Sequence, residues 1–66
     1  MEFLEKARVR LDSWIHHNEH HTEEYEIFAD QLEEAGMAKS AGYIREMVEL
    51  TSKSTDCLKK ALKSLE

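Results

Sequence analysis

Apolar residues, interrupted by a few polar ones, recur at alternating spacings of three and four along both halves of the chain. The first half carries the series Leu4, Ala7, Leu11, Trp14, Asn18, His21, Tyr25, Phe28, Leu32 and Ala35, and the second half carries Ser40, Ile44, Met47, Thr51, Ser54, Leu58, Ala61 and Leu65. This is the heptad spacing of a helix that buries one face. It predicts one helix over residues 2–35 and a second over residues 38–65.

Gly36 marks the turn, residues 36–38, between the two predicted helices. A residue in the left-handed conformation commonly ends a helix, and glycine adopts that conformation at the least cost. Ser40 is a candidate N-cap for the second helix. A connection this short makes the helices antiparallel neighbours. The sequence therefore predicts an all-α fold in which residues 1–66 form a single domain, a two-helix antiparallel hairpin.

Both predicted seams turn polar at the same height along the hairpin. Folding the chain at the turn sets Asn18, His21 and Thr22 opposite Thr51, Ser54 and Thr55. A buried polar layer can fix the alignment and the number of packed helices, at a cost in stability. Because two separate stretches agree on its position, we expect the layer to be a real feature of the fold.

The apolar face is wider than one partner helix can cover. Flanking apolar residues widen both seams: Ile15 and Ala29 in the first half, and Tyr43, Val48, Leu50 and Leu62 in the second. A chain of 66 residues also struggles to bury an adequate core by itself. We therefore expect two hairpins to dimerise into a four-helix bundle.

Charge is unevenly distributed, and it suggests how the two hairpins are oriented. The net charge of −5 argues against a nucleic-acid surface, and no Lys or Arg occurs between Arg10 and Lys39. The basic residues gather instead at the two chain ends: Lys6, Arg8 and Arg10, then Lys53, Lys59, Lys60 and Lys63. An antiparallel homodimer sets the acidic turn end of one hairpin beside the basic end of the other. The acidic outer face also suits a basic protein partner.

The remaining composition points to a cytoplasmic protein. A single cysteine, Cys57, excludes an internal disulfide and is typical of a reducing compartment. No apolar stretch is long enough for a signal peptide or a membrane span, so no membrane association is expected.

All four histidines fall in one short stretch of the first predicted helix. Residues three, four and seven apart share a helical face, so the stretch forms two stripes, His17–His21–Glu24 and His16–His20–Glu23. The heptad positions point His21 into the bundle, set His17 and Glu24 on its flank, and turn His16 and His20 toward solvent. Imidazoles at i and i+4 can chelate a metal ion without bending the helix.

The first stripe predicts a metal site formed by His17 and His21, with Glu24 as a possible carboxylate ligand and a symmetry mate supplying the rest. Nitrogen and oxygen ligands without thiolate favour Ni²⁺, Zn²⁺, Co²⁺ or Cu²⁺ over Ca²⁺ or Mg²⁺. The second helix offers no inward carboxylate, and the Glu-x-x-His signature of di-iron bundles is missing. Nothing supplies a substrate cleft or an oxyanion hole, so no catalytic activity is expected.

A structural alternative stays open for the same residues. His21 can be a core histidine that is hydrogen-bonded to Thr51, Ser54 or Asn18. The histidine layer would then only set helix register and dimerisation, and the chain would be a structural or protein-interaction module. Specific metal binding that raises stability would separate the two readings.

Trp14, His17, Asn18 and His21 spell Trp-x-x-His-Asn-x-x-His in the first helix. Together with the acidic stretch, the Ala-Gly turn and the second heptad helix that follow, this motif resembles small uncharacterised histidine-rich helical hairpins of anaerobic bacteria and archaea. The resemblance covers most of the chain and implies the same hairpin fold. It selects the inward histidine stripe, and it implies no established activity.

Overall fold

The computed structural model describes residues 2–66, which form two α-helices. Helix α1 spans Glu2–Glu34 and helix α2 spans Ala38–Ser64. Each ends one residue before the bound that the heptad spacing predicts. The chain has no proline to interrupt either helix, and straight-chain residues with high helix propensity fill both. The predicted all-α fold is confirmed, and the two helices pack against each other along the hairpin.

Gly36 reverses the chain between α1 and α2. Its φ of +85° lies in the left-handed region. The Gly36 N–H donates to the Glu33 carbonyl at 3.0 Å, and the Met37 N–H donates to the Leu32 carbonyl at 2.8 Å. These two bonds form a Schellman motif, which satisfies carbonyls at the end of α1.

The expectation that Ser40 caps α2 is wrong, because α2 begins two residues before Ser40. Met37 occupies the N-cap position without a side-chain hydrogen bond, and α2 begins at Ala38. The Ala41 N–H already donates to the Met37 carbonyl at 3.0 Å. Ser40 therefore lies inside the first turn of α2.

We expect Gly36→Ala to lower the free energy of unfolding by about 1 kcal/mol, because a side chain disfavours the left-handed conformation. A Cβ at Gly36 or at Gly42 meets nothing within 4 Å, so backbone conformation alone separates the two sites. Gly42 lies within α2, and Gly42→Ala should raise stability by about 0.5–1 kcal/mol. Urea unfolding of both variants checks this, and effects of the same sign would contradict it.

The contact between the helices keeps every second position of the predicted seam and shifts the positions between them by one residue. Ile15 and Ala29 on α1 and Ala41 on α2 form the buried apolar core, whereas Trp14 and Phe28 are each 50% exposed. Between Leu11 and Leu62, the observed helix seam comprises Leu11, Ile15, Asn18, Thr22, Tyr25, Ala29 and Leu32 on α1 and Ala41, Ile44, Val48, Thr51, Thr55, Leu58 and Leu62 on α2, and the half-buried His21 and Met47 border it. The buried alanines, Ala29 and Ala41, lie at the end of the seam near the turn.

A polar layer does cross the helix seam at mid-length, with Ser54 outside it in solvent. Thr22 Oγ1 donates to the Asn18 carbonyl at 2.8 Å, and Thr55 Oγ1 donates to the Thr51 carbonyl at 3.0 Å. Each hydroxyl is thus satisfied by its own helix. Within residues 2–66, every buried side-chain nitrogen and oxygen has a hydrogen-bond partner.

One side of the hairpin is closed by ion pairs that run from α1 to α2, and we call it the ionic flank. Lys59 Nζ lies 3.2 Å from Glu19 Oε2. Arg45 Nη2 lies 3.0 Å from Asp30 Oδ1, and Arg45 Nη1 donates to Glu33 Oε1. The hydrogen bonds that Arg45 donates to Glu33 and then to Asp30 raise the pKa of its guanidinium. These pairs show that α2 runs antiparallel to α1.

The opposite side, the open flank, is formed by the residues that precede positions of the helix seam. The residues that follow seam positions form the ionic flank. Because α2 runs antiparallel to α1, the residues that precede seam positions lie on the opposite side in both helices. The open flank comprises Arg10, Trp14, His17, His21, Glu24, Phe28 and Gln31 from α1 and Ser40, Tyr43, Met47, Leu50, Ser54, Cys57 and Ala61 from α2. Four of its large apolar side chains are exposed: Trp14, Phe28, Tyr43 and Leu50. Its charged residues are Glu24 and Arg10, whose guanidinium carbon lies 6.0 Å from the centre of the Trp14 ring.

The hairpin is long and thin, so much of its apolar surface stays uncovered. Its principal extents are 53 × 14 × 11 Å, and its radius of gyration is 15.4 Å, against about 11 Å for a compact chain of this length. Its accessible surface is 5292 Å², against about 4,300 Å² for a compact protein of this mass. No helix within residues 2–66 has both the length and the apolar character that crossing a membrane requires.

Candidate metal site

His17 and His21 stand one helical turn apart on the open flank, near the middle of α1. The side chain of His21 is 38% exposed, so it is half-buried against its neighbours. It lies beside the helix seam rather than inside it, since Thr22 occupies the seam position at this height. The heptad spacing therefore placed His17 on the flank of α1, where it lies, but placed His21 one position too deep.

The two imidazole rings are in direct contact through their Nε2 atoms. These atoms lie 2.9 Å apart, and the rings meet edge to face with centroids 4.3 Å apart and an angle of 89° between their planes. The ring of Tyr25 stacks on His21 from the next turn, at 5.9 Å and 12°. His21 is thus held between His17 and Tyr25, and its Nε2 atom points at a second nitrogen.

Glu24 contacts the other nitrogen of His21. Its Oε1 atom accepts a hydrogen bond from His21 Nδ1 at 3.0 Å. In the neutral ring this bond holds the proton on Nδ1 and leaves a lone pair on Nε2, the atom next to His17. The carboxylate therefore lies on the side of the ring that faces away from His17.

The second stripe, His16–His20–Glu23, is not brought together. The Nδ1 atom of His16 turns back to the Asp12 carbonyl at 2.9 Å. His20 Nε2 lies 3.8 Å from Glu24 Oε2, and both His16 and His20 are exposed. Identical sequence spacing thus produces one contacting pair and one separated pair, because Asp12 and Glu24 draw the outer rings apart.

His21 does not make the hydrogen bonds that the structural alternative expects of it. That alternative gives His21 hydrogen bonds to Thr51, Ser54 or Asn18. In the structure its two ring nitrogens contact His17 and Glu24 instead, and neither nitrogen is left for the polar layer. The threonines of that layer bond to their own backbones.

The chain by itself presents two adjacent imidazoles rather than a complete coordination sphere. Within residues 2–66, no group of three or more His, Cys, Asp or Glu side chains is arranged to hold a metal ion. The free thiol of Cys57 is exposed on the same flank. The site therefore consists of two imidazoles in contact and one carboxylate that orients the His21 ring.

No curated protein and no solved structure matches the chain. One family model, described as "Domain of unknown function (DUF8180)", matches residues 7–65. The matched segment contains most of both helices, the turn at Gly36, and His17, His21 and Glu24. The chain therefore belongs to the DUF8180 family of domains of unknown function.

Proposed function

We propose that this chain is a small, non-catalytic cytoplasmic module that binds a transition-metal ion through His17 and His21. The observation that carries the proposal is the 2.9 Å separation of their Nε2 atoms. Nitrogens that each lie 2.0–2.1 Å from one ion are about 2.9 Å apart at a ligand angle of 90° and about 3.3 Å apart at the tetrahedral angle. The two nitrogens, joined by a hydrogen bond, lie at a separation that one bound ion could also span, and the single cysteine suits a reducing compartment.

The donor set favours Ni²⁺, Zn²⁺, Co²⁺ or Cu²⁺. Imidazole nitrogen suits these ions, whereas Ca²⁺ and Mg²⁺ prefer oxygen ligands. His17 must carry its single ring proton on Nδ1 rather than on Nε2 before both rings can bind one ion. His21 needs no such change, because Glu24 already keeps its proton on Nδ1.

Glu24 serves this site as an orienting residue. A carboxylate that accepts the second N–H of a metal-binding histidine fixes the ring and raises its basicity, and losing it commonly costs about 10–100-fold in metal affinity. We expect that loss for Glu24→Ala in a calorimetric titration with Zn²⁺. Glu23→Ala is the matched control, since Glu23 is an exposed neighbour with no contact to either inner histidine. Equal affinities for the two variants would contradict this role.

We also propose that the module works as an antiparallel homodimer, in which two open flanks meet to form a four-helix bundle. The exposed large apolar side chains of the open flank support this proposal. The accessible surface of the hairpin also exceeds that of a compact protein of this mass by about 1,000 Å², which is comparable to the roughly 800 Å² that each partner buries in a standard interface. The opposite flank is already closed by ion pairs. The acidic turn end of one copy and the basic end of the other complement each other in the antiparallel arrangement.

A titration of the EDTA-stripped protein tests the metal proposal. Wild type should bind Zn²⁺, Co²⁺, Ni²⁺ and Cu²⁺, and His17→Ala/His21→Ala should lose that binding. His16→Ala/His20→Ala is the matched control, because it removes two exposed imidazoles at the same spacing from the same helix. It should bind as wild type does. Equal binding by both double variants, or no binding by wild type, would refute the proposal.

A second function is favoured by the exposed apolar side chains of the open flank. In this alternative the chain is a structural or protein-interaction module, the histidines serve pairing alone, and the acidic residues of the hairpin dock a basic protein. It expects dimers that ignore added metal. It also expects a His17→Ala/His21→Ala variant to lose pairing in metal-free buffer.

A further inference from the structure

One hairpin cannot complete the coordination of a metal ion held by His17 and His21. The pair supplies two nitrogens, and Glu24 is engaged with His21 Nδ1. At the same height α2 presents Ser54 and Cys57 on the open flank. Ser54 is a weak ligand for these metals, and within residues 2–66 the Cys57 thiol does not join the histidine pair in a group arranged to hold an ion. Closed protein sites for Zn²⁺ have four ligands, so at least two more must come from outside the chain.

Two-fold symmetry allows two ways of pairing open flanks. An axis parallel to the helices sets α1 against α2 of the second copy, with both turns at the same end. An axis perpendicular to the helices sets α1 against the second copy's α1, with the turns at opposite ends. Charge favours the second arrangement, because the first would bring together two turn ends that carry Asp30, Glu33 and Glu34.

A perpendicular axis near the middle of α1, which spans Glu2–Glu34, overlaps the two copies most fully, and the middle residue of α1 is Asn18. His17 and His21 lie on either side of that height and face the axis from the open flank. The axis therefore brings the histidine pair of one copy opposite the same pair of the other.

We infer that the metal site is shared between two copies of this chain, with His17 and His21 of each supplying four imidazoles to one ion on the two-fold axis. The inference rests on the proposed function and adds its stoichiometry and its regulation. Metal binding and dimerisation then become coupled equilibria, and each strengthens the other by the same factor. The module is a hairpin whose pairing responds to the concentration of a free transition-metal ion.

Sedimentation equilibrium of the EDTA-stripped chain, with and without Zn²⁺, tests the coupling. We expect Zn²⁺ to lower the dimer dissociation constant by about 5- to 150-fold, the usual range of coupling between two sites. Calorimetry should give one Zn²⁺ for every two chains. His17→Ala/His21→Ala should lose the Zn²⁺-dependent shift, and His16→Ala/His20→Ala should keep it.

A variant outside the ligand set gives an independent readout. Leu50→Glu places a charge on the open flank, where Leu50 is 60% exposed, so the hairpin should fold while pairing is blocked. Its affinity for Zn²⁺ should fall by the same factor by which Zn²⁺ lowers the dimer dissociation constant of wild type, although every histidine is present. Ile27→Glu is the control, since Ile27 is equally exposed but lies outside the open flank. It should behave as wild type does.

The outcomes separate this inference from the proposal beneath it. Zn²⁺ bound one per chain, with an unchanged dimer constant and unchanged affinity in Leu50→Glu, overturns the shared site and leaves His17 and His21 as a metal site within one hairpin. No Zn²⁺ binding by wild type overturns both. One Zn²⁺ per two chains, lost with the inner histidines and weakened in Leu50→Glu, supports both.

Discussion

Ile15→Ala is expected to lower the free energy of unfolding by about 2–4 kcal/mol, a large share of the stability available to so short a chain. Ile15 is 6% exposed and is the largest residue of the buried core, whose other apolar members are Ala29 and Ala41. Truncating it removes the largest buried apolar side chain from the helix seam.

Ile27→Ala is the matched control for this change. Ile27 lies on the same helix and is 60% exposed. We expect a change within about 0.5 kcal/mol, because little contact is lost and alanine has the higher helix propensity. Urea unfolding followed by circular dichroism at fixed protein concentration measures both. Similar losses for Ile15→Ala and Ile27→Ala would show that Ile15 is not at the helix contact.

Bound metal is expected to stabilise the fold by a comparable amount. A ligand that binds only the folded state adds about 2.7 kcal/mol at 100 times its dissociation constant and about 4.1 kcal/mol at 1,000 times. For a domain of this size each kcal/mol shifts the unfolding midpoint by about 4–8 °C. Thermal unfolding of the EDTA-stripped chain with and without Zn²⁺ should therefore show a rise of more than ten degrees.

The same scan on the two double variants assigns the rise to particular histidines. His17→Ala/His21→Ala should show no rise with Zn²⁺, and His16→Ala/His20→Ala should keep it. Both variants should fold without metal, because none of these side chains belongs to the buried core. An equal loss of the rise in both variants would contradict a specific site, and so would an equal rise in both.

The hairpin fold could be predicted from the spacing of apolar residues and from one glycine. Alternating spacings of three and four predicted both helices, and Gly36 predicted the reversal that its positive φ now explains. The exact seam could not be predicted, because an apolar face broader than one helix leaves several heptad positions equivalent in the sequence. In the structure Ile15 and Ala29 are buried, whereas Trp14 and Phe28, each one residue earlier, are half-exposed.

The site could be predicted only in part. The i, i+4 spacing predicted a pair of neighbouring imidazoles, and the structure brings His17 and His21 into contact. Spacing says nothing of ring rotation, so it could not show that Glu24 would take His21 Nδ1 rather than stand beside Nε2. It also treated the outer stripe as equivalent, although the Asp12 carbonyl draws His16 away from His20.

Ring ¹⁵N chemical shifts of the four histidines, recorded before and after Zn²⁺ is added to the stripped chain, test the central claim most directly. The structure and the proposal together predict that the Nε2 signals of His17 and His21 move to metal-bound values. They also predict that His21 Nδ1 keeps its proton, which is hydrogen-bonded to Glu24, and that the signals of His16 and His20 are unchanged. Zn²⁺-dependent shifts at His16 and His20 as large as those at the inner pair, or no shift at any ring, would contradict the claim that His17 and His21 bind the metal.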